Sequence, residues 1–137
     1  MSYVLDVSVL NADLEKMGYT IQFQEDESEY LQKYVFSRFK NVIADPLAIK
    51  LSQNLCRVCA VQYHLSDLID MDLLEWCDIS QDLTVLCHDM QDVLEEIRQY
   101  MSDEDYFRIE EWVVGEYIGI KGQYNKTITK IEDGGAA

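Results

Sequence analysis

The stretch QDLTVLCHDMQDVLEEIRQYM, residues 81–101, decides the fold class of this chain. Apolar residues recur in it at spacings of three and four, and they form one stripe: Leu83, Leu86, Met90, Val93, Leu94, Ile97 and Met101. The polar residues fall on the opposite side: Asp89, Asp92, Glu95, Glu96 and Gln99. Because an α-helix turns once in about 3.6 residues, this pattern predicts an amphipathic helix with one side in a core.

Weaker helical patterns lie on both sides of this stretch. Before it, they predict a helix over 8–17 that ends at Gly18, a helix of about 15 residues that Ser28 caps, and a central, most buried helix from Pro46 to about His64. A less regular helix is predicted over 67–80, after Ser66. The last predicted helix starts after Ser102 and breaks at Gly119 and Gly122. Residues 19–24 and 126–131 alternate between apolar and polar side chains. Each of these two segments is therefore predicted as a strand.

The expected fold is mainly α, a compact bundle of about five helices. The two predicted strands, 19–24 and 126–131, allow a small two-stranded antiparallel sheet beside it. Residues 1–133 are predicted as a single acidic helical domain, and 134–137, which contain only Gly and Ala, as a flexible tail. The predicted core consists of Leu31, Val35, Phe39, Leu51, Leu55, Val58, Leu86, Met90, Val93, Ile97, Ile109 and Val113.

The composition excludes several classes of protein. A chain of 137 residues with 48% hydrophobic residues can bury a core as one domain, so it is not disordered. Its formal charge of −15 opposes direct binding to nucleic acid and to anionic membranes. No apolar run approaches the roughly 18–20 residues of a membrane span, and the first residues lack the pattern of a signal peptide. We therefore expect a cytoplasmic protein whose four cysteines are reduced.

The negative charge is concentrated in fifty consecutive residues. Residues 67–116 contain sixteen acids and only two bases, Arg98 and Arg108, which gives a net charge of −14. Residues 28–66 instead contain five bases and two acids, a net charge of +3. Self-repulsion within the acidic segment works against a compact state, which favours a function in which a partner neutralises the charge.

A pair of cysteines has the spacing of a zinc half-site. The pair is Cys56-Arg57-Val58-Cys59, and Cys77 with Cys87 would complete a four-cysteine set. The pair lies within a helical pattern and lacks the tight turn that zinc pairs usually occupy. This context favours buried thiols that pack as small apolar groups.

Two pairs of acids three residues apart indicate an alternative chemistry. The pairs are Asp72 with Glu75 and Asp89 with Asp92, and they resemble those that hold magnesium in all-helical nucleotide pyrophosphohydrolases. The resemblance implies a Mg-dependent hydrolase of nucleoside triphosphates. His64 and the His88-Asp89 pair resemble ligands of HD-domain phosphohydrolases, although the helical pattern places both histidines on solvent-facing sides.

The acidic segment is the leading candidate for function. Acids three or four residues apart on a helix lie about 5–6 Å from one another, a spacing similar to that of phosphates along a nucleic acid. The residues predicted to bind a partner are Asp89, Asp92, Glu95, Glu96, Glu104 and Glu111. Aromatic residues of the same region would anchor such a complex if exposed: Trp76, Tyr100, Tyr106 and Trp112.

In size, charge and helicity the chain resembles the broad class of small acidic inhibitors. That class includes DNA-mimic antirestriction and anti-CRISPR proteins and the immunity proteins that block nucleases. The resemblance implies a non-enzymatic inhibitor, with no catalytic residue, metal or cofactor, that binds a basic, nucleic-acid-binding protein such as a nuclease, restriction or CRISPR component. The alternatives are the Mg-dependent nucleotide pyrophosphohydrolase and an adaptor or assembly subunit that binds its partner through an apolar patch.

Overall fold

A computed structural model describes residues 6–39, 46–70 and 76–135, and five α-helices account for most of this part. The helices are α1 (Val7–Met17), α2 (Ser28–Phe39), α3 (Pro46–Asp70), α4 (Trp76–Arg98) and α5 (Asp103–Gly135), with a short 3₁₀ helix at Glu25–Glu27 before α2. The prediction of a mainly helical bundle of about five helices is confirmed. No helix within the described ranges is both long enough and apolar enough to cross a bilayer.

Helices α3, α4 and α5 pack against one another and form the centre of the bundle, and α2 packs against α3. The middle of α3 is buried on nearly every side, as the apolar residues around its circumference predict. Ten of the twelve predicted core residues are buried: Leu31, Leu51, Leu55, Val58, Leu86, Met90, Val93, Ile97, Ile109 and Val113. The side chains of the other two, Val35 and Phe39, lie outside the described part.

The ends of α1 follow the signals in the sequence. The Asp6 carboxylate accepts the backbone N–H of Ser8 at 2.9 Å and so caps the first turn. Gly18 ends the helix in the left-handed region, with a φ of 93°. The start of α5 is capped in a similar way, because the Ser102 hydroxyl accepts the backbone N–H of Asp105 at 3.2 Å.

The predicted strand at 126–131 is wrong, because these residues continue α5 through Gly119 and Gly122 without a break. The apolar positions Ile120, Tyr124 and Ile128 are four residues apart, so one side of a helix carries them. The hydroxyls of Thr127 and Thr129 donate to backbone carbonyls four residues earlier, both at 2.9 Å. The threonines thus fit the helix. The alternation of residues 126–131 had suggested the two-residue period of a strand instead of the 3.6-residue period of a helix.

Residues 19–24 are extended but do not pair in a sheet, and the described part of the chain contains no strand. Alternate side chains, Tyr19, Ile21 and Phe23, are buried, as the alternation predicts. The backbone of residues 19–24 forms hydrogen bonds with side chains of α1 and α4. Asp82 accepts the N–H of Thr20 at 2.8 Å, and Asn11 bonds both the N–H and the carbonyl of Phe23, at 2.8 and 2.9 Å.

The prediction that a separate helix over 67–80 starts after Ser66 is also wrong. Its first residues continue α3 to Asp70, because Leu65 and Ile69 extend the buried stripe past Ser66. Residues 76–80 instead begin α4, where Ile79 is buried. At the other end of the chain, α5 reaches Gly135, so it includes the first half of the predicted tail. Residues 136 and 137 lie outside the described residues.

Candidate partner-binding surface

The last turns of α4 carry three of the predicted binding residues, Asp92, Glu95 and Glu96, and all three are exposed. Their orientation follows from the helical period. Four neighbouring positions are buried in the core: Met90, Val93, Leu94 and Ile97. Side chains that alternate with these positions must project into solvent, since residues three and four apart share a side of the helix.

The first turns of α5 carry two more predicted residues, Glu104 and Glu111, which are also exposed. Glu104 accepts a bond from Arg108 at 2.9 Å, and both side chains are about three-quarters exposed, at 77% and 74%. An ion pair at such a surface contributes roughly 0–1 kcal/mol and leaves both groups accessible. Because residues 99–102 join α4 directly to α5, these five acids lie on connected and packed helices. We call Asp92, Glu95, Glu96, Glu104 and Glu111 the acidic face.

Asp89, the sixth predicted residue, does not belong to the acidic face. It is buried, with only 3% of its surface exposed. Arg57 of α3 forms two bonds to its carboxylate, from Nη2 to Oδ1 at 2.6 Å and from Nε to Oδ2 at 3.0 Å. The Tyr19 hydroxyl donates to the same Oδ2 at 3.0 Å. Asp89 therefore links α3, α4 and the extended segment after α1, and it is not available to a partner.

The titration of these partners reflects the same burial. Burial raises the pKa of the Tyr19 hydroxyl, and the negative charge of Asp89 raises it further. Burial opposes the charge of Arg57, but the bonds to Asp89 outweigh that effect and raise the pKa of the guanidinium. The guanidinium of Arg57 is therefore charged at neutral pH, and the bidentate geometry of its bonds to Asp89 compensates its desolvation.

Asp82 is a second buried acid. From the sequence it had no predicted role beyond its position in the acidic segment, residues 67–116. It is 1% exposed, and its two oxygens accept the backbone N–H and the hydroxyl of Thr20 at 2.8 and 2.9 Å. Burial raises the pKa of this carboxyl, while the bonds from Thr20 lower it in part. A signal for both buried acids was available. Asp82 and Asp89 are seven residues apart, and Leu86 and Val93 follow them by four residues, so both acids border the apolar stripe.

The cations in the described part of the chain leave most of the acidic face uncompensated. Lys33 pairs with Glu29 of its own helix at 3.5 Å, and Arg57 is occupied by Asp89. Arg98 lies over the ring of Tyr106, 4.9 Å from its centre. Among the side chains that the structure describes, no Lys or Arg forms an ion pair with Asp92, Glu95, Glu96 or Glu111.

Two aromatic side chains beside the acidic face are exposed. Tyr100, in the turn between α4 and α5, is 51% exposed, as an anchor requires, and Phe107 on α5 is 56% exposed. Phe107 was not among the predicted anchors, because the helical stripe of α5 does not include it. Tyr106 is buried and Trp112 is half-buried, so neither is a surface anchor, and the side chain of Trp76 lies outside the described part.

The residues of the alternative metal sites are placed as follows. Cys56 and Cys59 are buried in the core, Cys87 is half-buried, and the side chain of Cys77 is outside the described part. Of the proposed magnesium ligands, Asp89 is occupied by Arg57 and Asp92 is exposed, whereas Asp72 and Glu75 lie outside the described residues. Across the ranges 6–39, 46–70 and 76–135, no three His, Cys, Asp or Glu side chains are grouped so as to hold a metal ion.

The two histidines differ in environment. His88 is exposed, as predicted. The prediction that His64 faces solvent is wrong, because its ring packs edge-on against Phe23, with the ring centres 5.0 Å apart. Burial lowers the pKa of His64, which favours the neutral imidazole. This histidine is part of the packing that holds the extended segment.

An open cleft of about 360 Å³ lies between α3 and α5, and its lining includes Ser66, Glu116 and Gln123. Among the described residues that line the cleft, Glu116 is the one side chain that could act as an acid or a base. Comparison with known proteins adds no assignment: no family model, no curated protein and no solved structure matches this chain.

Proposed function

We propose that this protein is a non-enzymatic inhibitor whose acidic face binds a basic, nucleic-acid-binding protein in the place of nucleic acid. The observation that carries the proposal is the exposure of Asp92, Glu95, Glu96 and Glu111 without an ion pair among the described residues. The two helices that carry these carboxylates pack against each other, so the backbone of the surface is in place before a partner arrives.

The energetic reason lies in the repulsion between neighbouring carboxylates. Glu95 and Glu96 each lie three or four residues from Asp92, about 5–6 Å away on a helix. Two like charges at that distance in water repel by about 0.75 kcal/mol. Lysine or arginine side chains that normally hold phosphates would remove this repulsion and gain attraction. Such an interface would form quickly and would weaken steeply with salt.

Tyr100 and Phe107 would add apolar contact to the electrostatic attraction of the acidic face. Both are large, more than half exposed and next to the acidic face. An aromatic side chain that enters a pocket of the partner can contribute more than a rim charge, because it is fully desolvated in the complex. The proposed surface therefore combines two aromatic anchors with a surrounding set of carboxylates.

The proposal is tested by capture from a lysate of the source cell at about 0.05 M and about 0.5 M NaCl, followed by displacement with duplex DNA. We expect a captured basic protein that is lost at high salt and that duplex DNA displaces. A variant with Asp92, Glu95, Glu96 and Glu111 changed to Lys should capture nothing.

The matched control changes four exposed acids outside the acidic face to Lys, with the same total change in charge: Glu15, Glu25, Asp26 and Asp67. This control should still capture the partner. The proposal is wrong if the two variants behave alike, or if duplex DNA does not compete. Capture that is insensitive to salt would favour the adaptor function instead.

A further inference from the structure

Helix α5 has a second stripe on the side that faces away from the core. Phe107 is 56% exposed and Ile118 is 63% exposed, while Val114 between them is half-buried and packs in part against the core. Their spacings of seven and four residues place all three on one side of the helix. The core stripe occupies the other side and consists of Tyr106, Ile109, Val113 and Ile120. The same outer side continues through Gly122, Asn125 and Thr129, which are exposed.

The charge of α5 changes sign along its length. Residues 103–116 contain six acids and one base, Arg108. Residues 119–131 contain no acid and three exposed lysines, Lys121, Lys126 and Lys130. If the α5 helix of a second copy runs in the opposite direction, its basic half lies along the acidic half of the first, and its acidic half lies along the basic half of the first.

We propose that two copies of this chain associate through the outer sides of their α5 helices, antiparallel, with Ile118 on the two-fold axis. In this register Phe107 faces Thr129 of the second copy, and Val114 faces Gly122. Glu111 faces Asn125, with Lys126 beside it. The outer stripe is therefore complementary to itself. On each side of the Ile118 pair a large residue faces a small one, and Glu111 lies beside Lys126. A two-fold interface requires such a self-complementary patch, and every contact in it occurs twice.

The proposal goes beyond the proposed function, and its surface shares Phe107 and Glu111 with the proposed partner-binding surface, so a second copy and a basic partner would compete for these two side chains. The stripe from Phe107 to Thr129 spans about 33 Å at 1.5 Å per residue and belongs to α5 alone. Asp92, Glu95 and Glu96 are on α4 and remain outside it. Each chain has a charge of −15, so the copies repel at low ionic strength. At about 0.15 M salt the screening length is about 8 Å, which limits that repulsion while contacts within the interface persist.

The first test is the mass in solution, by light scattering and sedimentation at about 0.15 M salt over a range of protein concentrations. We expect twice the chain mass of 16.0 kDa at high concentration and the single-chain mass on dilution. Ile118→Glu should be monomeric throughout. Ile131→Glu is the matched control, because Ile131 is an exposed isoleucine of α5, at 43%, that lies on the core side of the helix. Unchanged circular dichroism of Ile118→Glu would show that its fold is intact.

The second test fixes the antiparallel register. Glu111→Lys and Lys126→Glu each place like charges together at two symmetric points, so each should weaken association about tenfold or more. The double variant restores opposite charges and should regain the original affinity. The proposal is overturned if the original protein stays monomeric at all concentrations, if Ile118→Glu still dimerises, or if the double variant is not rescued. Asp92, Glu95 and Glu96 lie outside the interface, so capture of a basic partner by these three carboxylates would survive a failure of the dimer tests.

Discussion

The buried pair of Arg57 and Asp89 gives the sharpest prediction about stability. Asp89→Asn keeps the size of the side chain but removes its charge, so Arg57 remains charged with only 11% of its side chain exposed. Loss of one partner from a buried ion pair costs about 3–5 kcal/mol. Because small domains are stable by about 5–15 kcal/mol, this substitution should remove a large part of the total.

The measurement is urea unfolding followed by circular dichroism. With a denaturant slope of about 2 kcal/mol per molar, the midpoint should fall by about 1.5–2.5 M at an unchanged slope. Asp92→Asn is the control on the same helix, since Asp92 is exposed, and it should change stability by at most about 0.5 kcal/mol. Replacement of both partners, Arg57→Met with Asp89→Leu, should recover most of the loss. Equal midpoints for Asp89→Asn and Asp92→Asn would refute the reasoning.

Two further predictions concern His64 and α5. Burial lowers the pKa of His64 below its ordinary 6.5. The unfolded chain therefore binds a proton at a higher pH than the folded protein does. Above pH 6.5 the contribution of the neutral ring to stability is complete, and it is lost as the pH falls from 6.5 toward the folded-state pKa. His64→Gln should therefore show a flatter dependence of the unfolding free energy on pH in that range, and identical slopes would contradict the buried environment. Gly119→Ala should stabilise the protein by about 0.5–1 kcal/mol, because Gly119 lies inside a helix and an added Cβ meets no atom within 4 Å. A loss of stability in thermal unfolding would instead support a break of the helix at this position.

The sequence was sufficient where apolar residues follow one period over several turns. The stripe of α4 from Leu83 to Ile97 predicted both its helix and its buried side. It was insufficient in 126–131, where two threonines and two isoleucines favour a strand by residue type, whereas the spacing of Ile128 and Ile131 by three suits a helix. Ser66 misled in a similar way, because a serine can cap a helix or lie inside one.

The candidate surface was predictable only in part. Exposure of Asp92, Glu95 and Glu96 followed from the helical period. The same period places Asp89 at the border of the apolar stripe, but its ion pair could not be predicted, because Arg57 is distant in sequence and becomes adjacent only after α3 and α4 pack. Phe107 was missed because a single apolar residue outside the main stripe is common on protein surfaces. Its significance depends on Ile118, eleven residues later on the same side.

The length and order of charges in α5 make the molecule electrically polar. At 1.5 Å per residue the helix is about 50 Å long, with six acids and one base in residues 103–116 and three lysines and two acids in residues 119–135. The peptide dipole of a helix points the opposite way, positive at the beginning, so the side-chain charges and the backbone stabilise each other at the start. In the field of a strongly basic protein, this monomer would rotate so that the α4–α5 turn leads and the lysines trail. Diffusion would then bring Tyr100 and Phe107 to the encounter first.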